Sequence, residues 1–336
     1  MRRRKFIRVA GAAIALAGAP AAVRVLAAAG APRIPGGWGG FTPNAKFYVT
    51  TYGATPRVNA AQWRLKIGGL VKNPLELDLA AVKALPPVNE TLTLECIGNP
   101  PNGTSIGNAQ WVGPKLNPLL ERARPSAKAV YARLQAADGY TTGIPVDELM
   151  RKDNFLPYLM NGAPLPPEHG YPLRIFIPGK YGMKQPKWLT EIEFVDKEFI
   201  GYWERQGWTN SAWRKVNSGF FYPQANYSLL DMSTPQAKVT APIEMVGWAL
   251  AGPSGIRRVD LSTDDGETWQ AAELIENRSP YIWTVWKYRF APAERGLYHV
   301  RVRATDGDGH AQPPSDPDRA AGMSAQARLE LAVSTD

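Results

Sequence analysis

The sequence predicts an α+β domain followed by an all-β sandwich, and three observations carry that expectation. Up to about residue 232, short alternating apolar runs are interleaved with short helical patterns. From about residue 236, six or seven β-prone runs follow one another at turn-length spacing, the pattern of a sandwich of immunoglobulin type. Finally, 31 Gly and 30 Pro in 336 residues favour short strands and turns over long helices, in a chain long enough for two domains. The expected division is a leader over 1–29, a mixed domain over 30–232 and a sandwich over 233–336.

The leader comes first. Met1-Arg-Arg-Arg-Lys-Phe-Ile-Arg8 is a basic head, Val9–Pro20 an apolar core, and Ala27-Ala28-Ala29 a small-residue cleavage pattern. Arg3-Arg4-Lys5-Phe6-Ile7-Arg8 fits the twin-arginine pattern, with a general secretory signal or an uncleaved anchor as the alternatives. The twin-arginine route carries folded proteins, often with a cofactor already inserted, so a periplasmic protein with a cofactor is expected. Much of the formal charge of +9 belongs to this leader. Six of the 39 basic residues lie in 1–29 without an acid, leaving 33 bases against 30 acids, or +3. That balance removes the case for a nucleic-acid partner. No later segment has the roughly 18 uninterrupted apolar residues of a membrane span.

Residues 30–45 are Pro/Gly-rich and read as an extended lead-in. Phe47–Tyr52 and Trp63–Ile67 alternate as strands, and Leu77–Leu85 has helical spacing that stops at Pro86-Pro87. Thr91–Glu95 reads as a strand, Lys115–Ala123 as a short helix and Val130–Gln135 as a strand. A turn and strand follow to Pro145, then a helix over Val146–Arg151. Leu173–Ile177 and Leu189–Val195 read as strands, separated by a loop with Lys180, Lys184 and Lys187. Residues 198–232 are aromatic with weak periodicity, a linker with a functional rim. The sandwich strands are expected at Lys238–Thr240, Ile243–Trp248, Ile256–Thr263, Trp283–Phe290, Tyr298–Thr305 and Ala327–Val333. Asp264-Asp265-Gly266 and Asp306-Gly307-Asp308-Gly309 are hairpin-type turns.

Chemistry concentrates at Cys96, the only cysteine. The strand Thr91–Glu95 runs out there into Gly98-Asn99-Pro100-Pro101-Asn102-Gly103, a cluster of turn formers. A thiol on such a loop can be presented for reaction, whereas an arbitrary lone cysteine is more often a small buried hydrophobe. One cysteine permits no internal disulfide, so an exported chain must protect or occupy it.

Four fragments in order resemble the molybdopterin-dependent sulfite oxidase superfamily. Thr93-Leu-Glu-Cys96-Ile-Gly-Asn99 with Ile106-Gly-Asn-Ala-Gln-Trp111 looks like its cysteine loop and the segment that follows. Asn161-Gly-Ala-Pro-Leu-Pro-Pro-Glu-His169-Gly-Tyr-Pro-Leu-Arg174 and Gly182-Met-Lys184-Gln185-Pro-Lys187-Trp188-Leu189 resemble two further runs. Leu261-Ser-Thr-Asp-Asp-Gly-Glu-Thr-Trp269 is similar to part of its C-terminal dimerisation domain, which implies a homodimer. The resemblance implies a Mo-molybdopterin cofactor whose dithiolene supplies two sulfurs and Cys96 a third, thiolate being a fit donor for this metal. It implies Arg174, Lys187, His169, Lys184 and Gln185 around the cofactor, with the first two suited to its phosphate. By matching position, Asp138 and Tyr48, Thr50, Thr51 and Tyr52 line it as well. The bland reading of each basic residue alone is a solvated surface charge.

The chain also departs from that family. The family loop reads Cys-x-Gly-Asn-Arg-Arg, and Pro100-Pro101 stand where the arginines fall. Val49-Thr50-Thr51-Tyr52 replaces Val-Arg-Asn-His, and Trp208 falls opposite the family's tyrosine, which makes Trp208 the second candidate catalytic residue beside Cys96. Losing bidentate donors weakens capture of a dianion, unless Arg205, Arg214 or Lys215 restores the charge. The expected activity is therefore two-electron oxygen-atom-transfer chemistry on a substrate other than sulfite. A sulfite dehydrogenase, a sulfoxide-type reductase and a non-catalytic binding protein are the alternatives. With no Cys-x-x-Cys-His run, the chain is expected to carry no haem and to exchange electrons with a separate carrier, a cytochrome or a membrane quinone-linked protein.

Overall fold

The computed structural model describes residues 40–224, 236–240, 242–276, 279–292, 294–316 and 318–334. The leader and most of the lead-in therefore lie outside the described residues. The chain forms two compact units, and their boundary is not the single one near residue 232 that the sequence suggests. One unit takes Pro43–Thr91 and Ala109–Ala212; the other takes Leu92–Asn108 and Trp213–Asp336, with the stretch ending at Thr42. Cys96 thus belongs with the C-terminal part of the chain.

In the first unit, a five-stranded sheet runs in the order Leu75–Leu77, Leu65–Gly69, Leu189–Val195, Tyr131–Ala136, Thr141–Pro145. Leu65–Gly69 is parallel to Leu189–Val195, and the other pairings are antiparallel. Alternation decides which face is buried: Leu65, Ile67, Leu134, Ile144, Ile192 and Phe194 point into one core. Helix Asn117–Ala123 adds Leu119 and Leu120, each worth about 1.5–3 kcal/mol of burial. It stops at Arg124, which adopts a left-handed conformation at φ 55°. Helix Leu79–Lys83 starts where the Asp78 carboxylate caps Ala81 N–H at 2.8 Å.

In the second unit, two sheets share one core. The first runs Asn217–Tyr222, Ile243–Leu250, Thr284–Phe290, Glu273–Glu276; the second runs Gln236–Thr240, Ala327–Ser334, Gly296–Asp306, Ile256–Ser262, Gln270–Ala271. Met245, Trp286, Val259, Val300 and Leu329 lie in that core. The Asp264-Asp265-Gly266 turn closes on itself. Ser262 Oγ donates to Asp264 Oδ1 at 2.6 Å, and Thr268 N–H donates to the same oxygen at 2.9 Å. These bonds pull the Asp264 carboxyl down to about 2.

All six sandwich strands expected from the sequence are present. Elsewhere the structure corrects the reading. Among the described residues the longest helix has seven residues, so the protein is mostly β. Phe47–Tyr52 forms no strand: Phe47 instead packs against the rings of Trp111 and His169. Leu173–Ile177 has a single bridge, because its amides bond irregular segments at Pro157, Pro186 and Phe155. Several strands were not expected, the longest being Ile106–Pro114 and Asn217–Tyr222. The strands Pro87–Glu95 and Ile106–Pro114 flank the Cys96 loop in the chain and both pass from one unit into the other.

Candidate cofactor site

The first unit gathers the basic candidates. Arg174 is only 3% exposed, and its guanidinium lies 5.3 Å from the Trp111 ring centroid and 4.9 Å from that of Phe176. Nη1 donates to His169 O at 3.2 Å and Nη2 to Gln185 O at 3.3 Å, while Nε has no partner. Among the described residues no carboxylate pairs with it, and burial pushes its pKa down to about 10.

Lys187 completes the pattern through a contrast within its own loop. Lys180 pairs with Glu148 at 2.6 Å, and Lys184 pairs with Glu204. Lys187 has only carbonyls, Thr50 O at 3.1 Å and Glu168 O at 2.9 Å, with the Trp188 ring 4.5 Å away. Burial, then the neighbouring Arg174, pushes Lys187 down to about 7, against the pull of Asp138 and Glu168. Cations partly withdrawn from water and held by carbonyls, with no carboxylate in direct contact, are what a bound anion relieves. The residues present therefore fit a phosphate-bearing cofactor.

The other expected residues divide by how their polar atoms are used. His169 is buried and its Nε2 lies 3.0 Å from Asn44 O. Since a carbonyl only accepts, Nε2 carries the proton, and burial lowers the ring's pKa toward the neutral form. Gln185 braces the loop with both ends of its amide, to Lys180 O at 2.7 Å and from Ile177 N–H at 3.2 Å. Only its carbonyl reaches Arg174. Lys184 is fully buried and bonds Glu204 Oε1, Asn210 Oδ1 at 2.6 Å, Gly143 O at 2.9 Å and Thr142 Oγ1 at 3.2 Å. Its three protons are committed within the protein, so it ties the Gly182–Lys184 turn to Thr141–Pro145 and to helix Tyr202–Arg205.

Asp138 is half-buried, and its carboxylate accepts from Tyr140 N–H at 3.0 Å. Burial raises its pKa, offset by that bond and by Lys187. Tyr48 stacks on Phe47 at 5.5 Å, Thr50 contributes its carbonyl to Lys187, and Thr51 lies half-buried on the same segment. Tyr52 donates to Asp138 O at 2.8 Å and meets the rings of Tyr202 at 4.6 Å and Tyr140 at 6.0 Å. Trp208 is half-buried and bonds Trp203 O through its backbone N–H at 3.3 Å. Tyr140 and Tyr202 were not singled out in the sequence; the aromatic density in 198–232 pointed toward Tyr202, and nothing marked Tyr140 beyond its place in a turn.

In the second unit the Cys96 loop is closed by its own turn residues. Cys96 N–H donates to Ser105 O at 2.9 Å, Asn99 N–H to Cys96 O at 2.9 Å, and Ser105 N–H to Asn99 Oδ1 at 2.9 Å. Asn102 takes φ 57° and accepts from Phe220 N–H at 2.8 Å. A Cβ on Gly103 would come within 2.8 Å of the Pro100 carbonyl, so only glycine fits. Cys96 itself is half-buried. Glu95 is fully buried beside it, a residue that sequence reasoning left aside because its partners Asn217 and Arg214 lie far along the chain. Its carboxylate accepts from Asn99 Nδ2 at 3.0 Å and Asn217 Nδ2 at 2.7 Å, and Arg214 Nε lies 3.7 Å away. Burial raises its pKa, and Arg214, Asn99 and Asn217 pull it back.

These features define a molybdopterin-type oxidoreductase. A family model described as "Oxidoreductase molybdopterin binding domain" matches residues 52–203, and one described as "Mo-co oxidoreductase dimerisation domain" matches residues 202–333. The chain belongs to the sulfite oxidase superfamily of molybdopterin-dependent oxidoreductases. It is 30% identical over 317 residues to the mitochondrial sulfite oxidase of Drosophila melanogaster, covering 81% of this chain and 55% of that protein. It is 28% identical over 283 residues to the sulfite oxidase of Arabidopsis thaliana, covering 72% of each. The chain thus spans little more than half the length of the Drosophila relative. Its fold is similar to that of the sulfane dehydrogenase SoxCD from Paracoccus pantotrophus, with a TM-score of 0.69 at 22% identity over 81% of this chain and 74% of that one.

Proposed function

We propose that this protein is an exported molybdopterin-dependent oxidoreductase whose substrate is not a small dianion such as sulfite. The observation that carries the cofactor reading is the pair of cations, buried Arg174 and half-buried Lys187, neither of which is paired with a carboxylate among the described residues. They hold the cofactor's phosphate, with His169 fixing the Arg174 side through its carbonyl. Cys96, on a loop fixed by its own hydrogen bonds, is the thiolate ligand to molybdenum. When bound, the cofactor supplies two-electron redox chemistry of the oxygen-atom-transfer type. Lys184 and Gln185 act behind the site as positioning residues, since their polar side-chain ends are used inside the protein.

The substrate reading rests on what became of the three cations that could have replaced the missing arginines. Arg214 is buried against Glu95 and donates to Thr93 O at 3.0 Å. Lys215 donates to Asp318 O at 2.7 Å, and Arg205 to Ile200 O at 2.5 Å. Each unit charge missing from a capture site forgoes about 4 kcal/mol of contact attraction at an effective dielectric near 20, before desolvation. The replacement of the family's arginines by Thr50, Pro100 and Pro101, and of its tyrosine by Trp208, favours a neutral or bulkier substrate instead. The alternative is a sulfite dehydrogenase passing electrons to a cytochrome, favoured by the similarity to sulfite oxidases. In either case the chain acts with a separate one-electron carrier, as a homodimer through an immunoglobulin-like C-terminal domain, after twin-arginine export to the periplasm. Elemental analysis and a sulfite assay test this together. The expected result is about one Mo per chain with feeble sulfite turnover. A metal-free folded protein overturns the cofactor reading, and sulfite kcat/KM above about 10⁵ M⁻¹s⁻¹ overturns the substrate reading.

A further inference from the structure

Glu95 ends the strand Pro87–Glu95, and Cys96 begins the loop. The carboxylate has 0% exposure, yet it is reached from three separate places in the second unit. Asn99, from inside the loop, donates to Oε1 at 3.0 Å, and Asn217, from the strand Asn217–Tyr222, donates to the same oxygen at 2.7 Å. Arg214, itself 5% exposed, sets its Nε 3.7 Å from Oε2 and donates to Thr93 O at 3.0 Å. A carboxylate out of water persists only where charge and hydrogen bonds replace its hydration, and here both come from residues that also define the loop.

The connection to Cys96 runs along backbone and amide bonds. Asn99 N–H donates to Cys96 O at 2.9 Å, and Asn99 Oδ1 receives Ser105 N–H at 2.9 Å. Ser105 O in turn receives Cys96 N–H at 2.9 Å. Asn99 is therefore held at its side chain by Glu95, and it holds the peptide after Cys96 directly and the one before it through Ser105. We propose that Glu95 is a positioning residue for Cys96: anchored by Arg214 and Asn217, it uses Asn99 as an arm that fixes the backbone from which the thiolate meets its metal. The role deepens the reading of Cys96 as the molybdenum ligand and rests on it. It also gives Arg214 a task, since its charge is spent on the loop's scaffold and not on an incoming anion.

The test uses Glu95→Gln, which keeps shape but removes charge, and Asn99→Ala, which cuts the arm while leaving Glu95 with Arg214 and Asn217. Hydrogen exchange of the Cys96 amide is measured in metal-free protein, and the Mo(V) paramagnetic spectrum in loaded protein. Both variants are expected to speed Cys96 exchange about tenfold or more, with the amides of Ile256–Ser262 unchanged. Both are expected to change the Mo(V) spectrum or split it into several species. An unaltered spectrum with wild-type exchange at Cys96 overturns the proposal, as does a uniform acceleration across the unit, which marks a merely structural carboxylate. If Glu95→Gln does not fold, Asn99→Ala carries both readouts. A wild-type protein without Mo defeats the ligand reading instead, and the exchange arm still decides whether Glu95 orders the loop.

Discussion

Around Cys96, the polar groups that shape the loop are answered from within the protein: Glu95 by Asn99, Asn217 and Arg214, Asn102 by Phe220, Asn99 by Ser105. Around Arg174 and Lys187 the reverse holds: the first is buried and the second half-buried, and their hydrogen bonds go to carbonyls, with aromatic rings beside them and no carboxylate in contact. Under the proposed function, the loop that presents the thiol is built complete, and the cations that receive the phosphate keep charge for it to neutralise. Mutations of the side chains that brace the loop should therefore hurt stability and function together, and mutations of the two cations should separate these effects.

The largest effect expected is at the thiol. Cys96→Ser should abolish turnover and change the Mo(V) spectrum while circular dichroism stays that of the wild type. An unchanged spectrum would make the thiol structural and dissolve the comparison. Next in size is Glu204→Ala, which strands a buried cation that has a partner. It should cost about 3–5 kcal/mol in denaturant unfolding, the usual penalty for breaking one side of a buried pair. Arg174→Met should move the cofactor-free protein the opposite way, a gain of about 1–4 kcal/mol, while cofactor retention falls. Equal losses in these last two variants would mean that Arg174 is already compensated.

The smallest effect is a pH dependence. Lys187 is lowered from 10.5 to about 7, so between those values the unfolded chain holds a proton that the native one lacks. The stability of the ligand-free protein should therefore rise as pH increases through that window, and the cost of charging Lys187 is full below it. Inorganic phosphate, which favours the charged lysine, should raise the melting temperature of cofactor-free protein by more at pH 6 than at pH 9. A phosphate effect independent of pH would remove Lys187 from the anion site.

Much of this was visible in the sequence, for reasons that also mark where it failed. The sandwich strands were legible because their alternation is matched by one buried and one open face, as in Gly296–Asp306. Cys96 and its turn formers were legible because Asn99 and Gly103 do much of their work within ten residues. Lys184 and Gln185 looked like cofactor ligands by type. Lys184's partner Glu204 lies twenty positions away and no local pattern announces it. Leu173–Ile177 and Phe47–Tyr52 looked like strands because they alternate, but their amides or rings go to irregular neighbours. Glu95 was passed over for the same reason, since Arg214 and Asn217 are more than a hundred residues further on.

Those long separations bear on the order in which the molecule is made. Thr93 Oγ1 receives Trp283 N–H across 190 positions, and Glu95 and Asn102 wait for Asn217 and Phe220 across 122 and 118. At synthesis rates of about 5–20 residues per second, the stretch around Cys96 leaves the ribosome about 10–40 s before the last of these partners exists. The loop's own bonds among Cys96, Asn99 and Ser105 can form at once, but the buried surroundings of Glu95 are complete only when the C-terminal strands have arrived. A buried and fully hydrogen-bonded Glu95 therefore requires a chain synthesised at least as far as Asn217, and a satisfied Thr93 one that reaches Trp283.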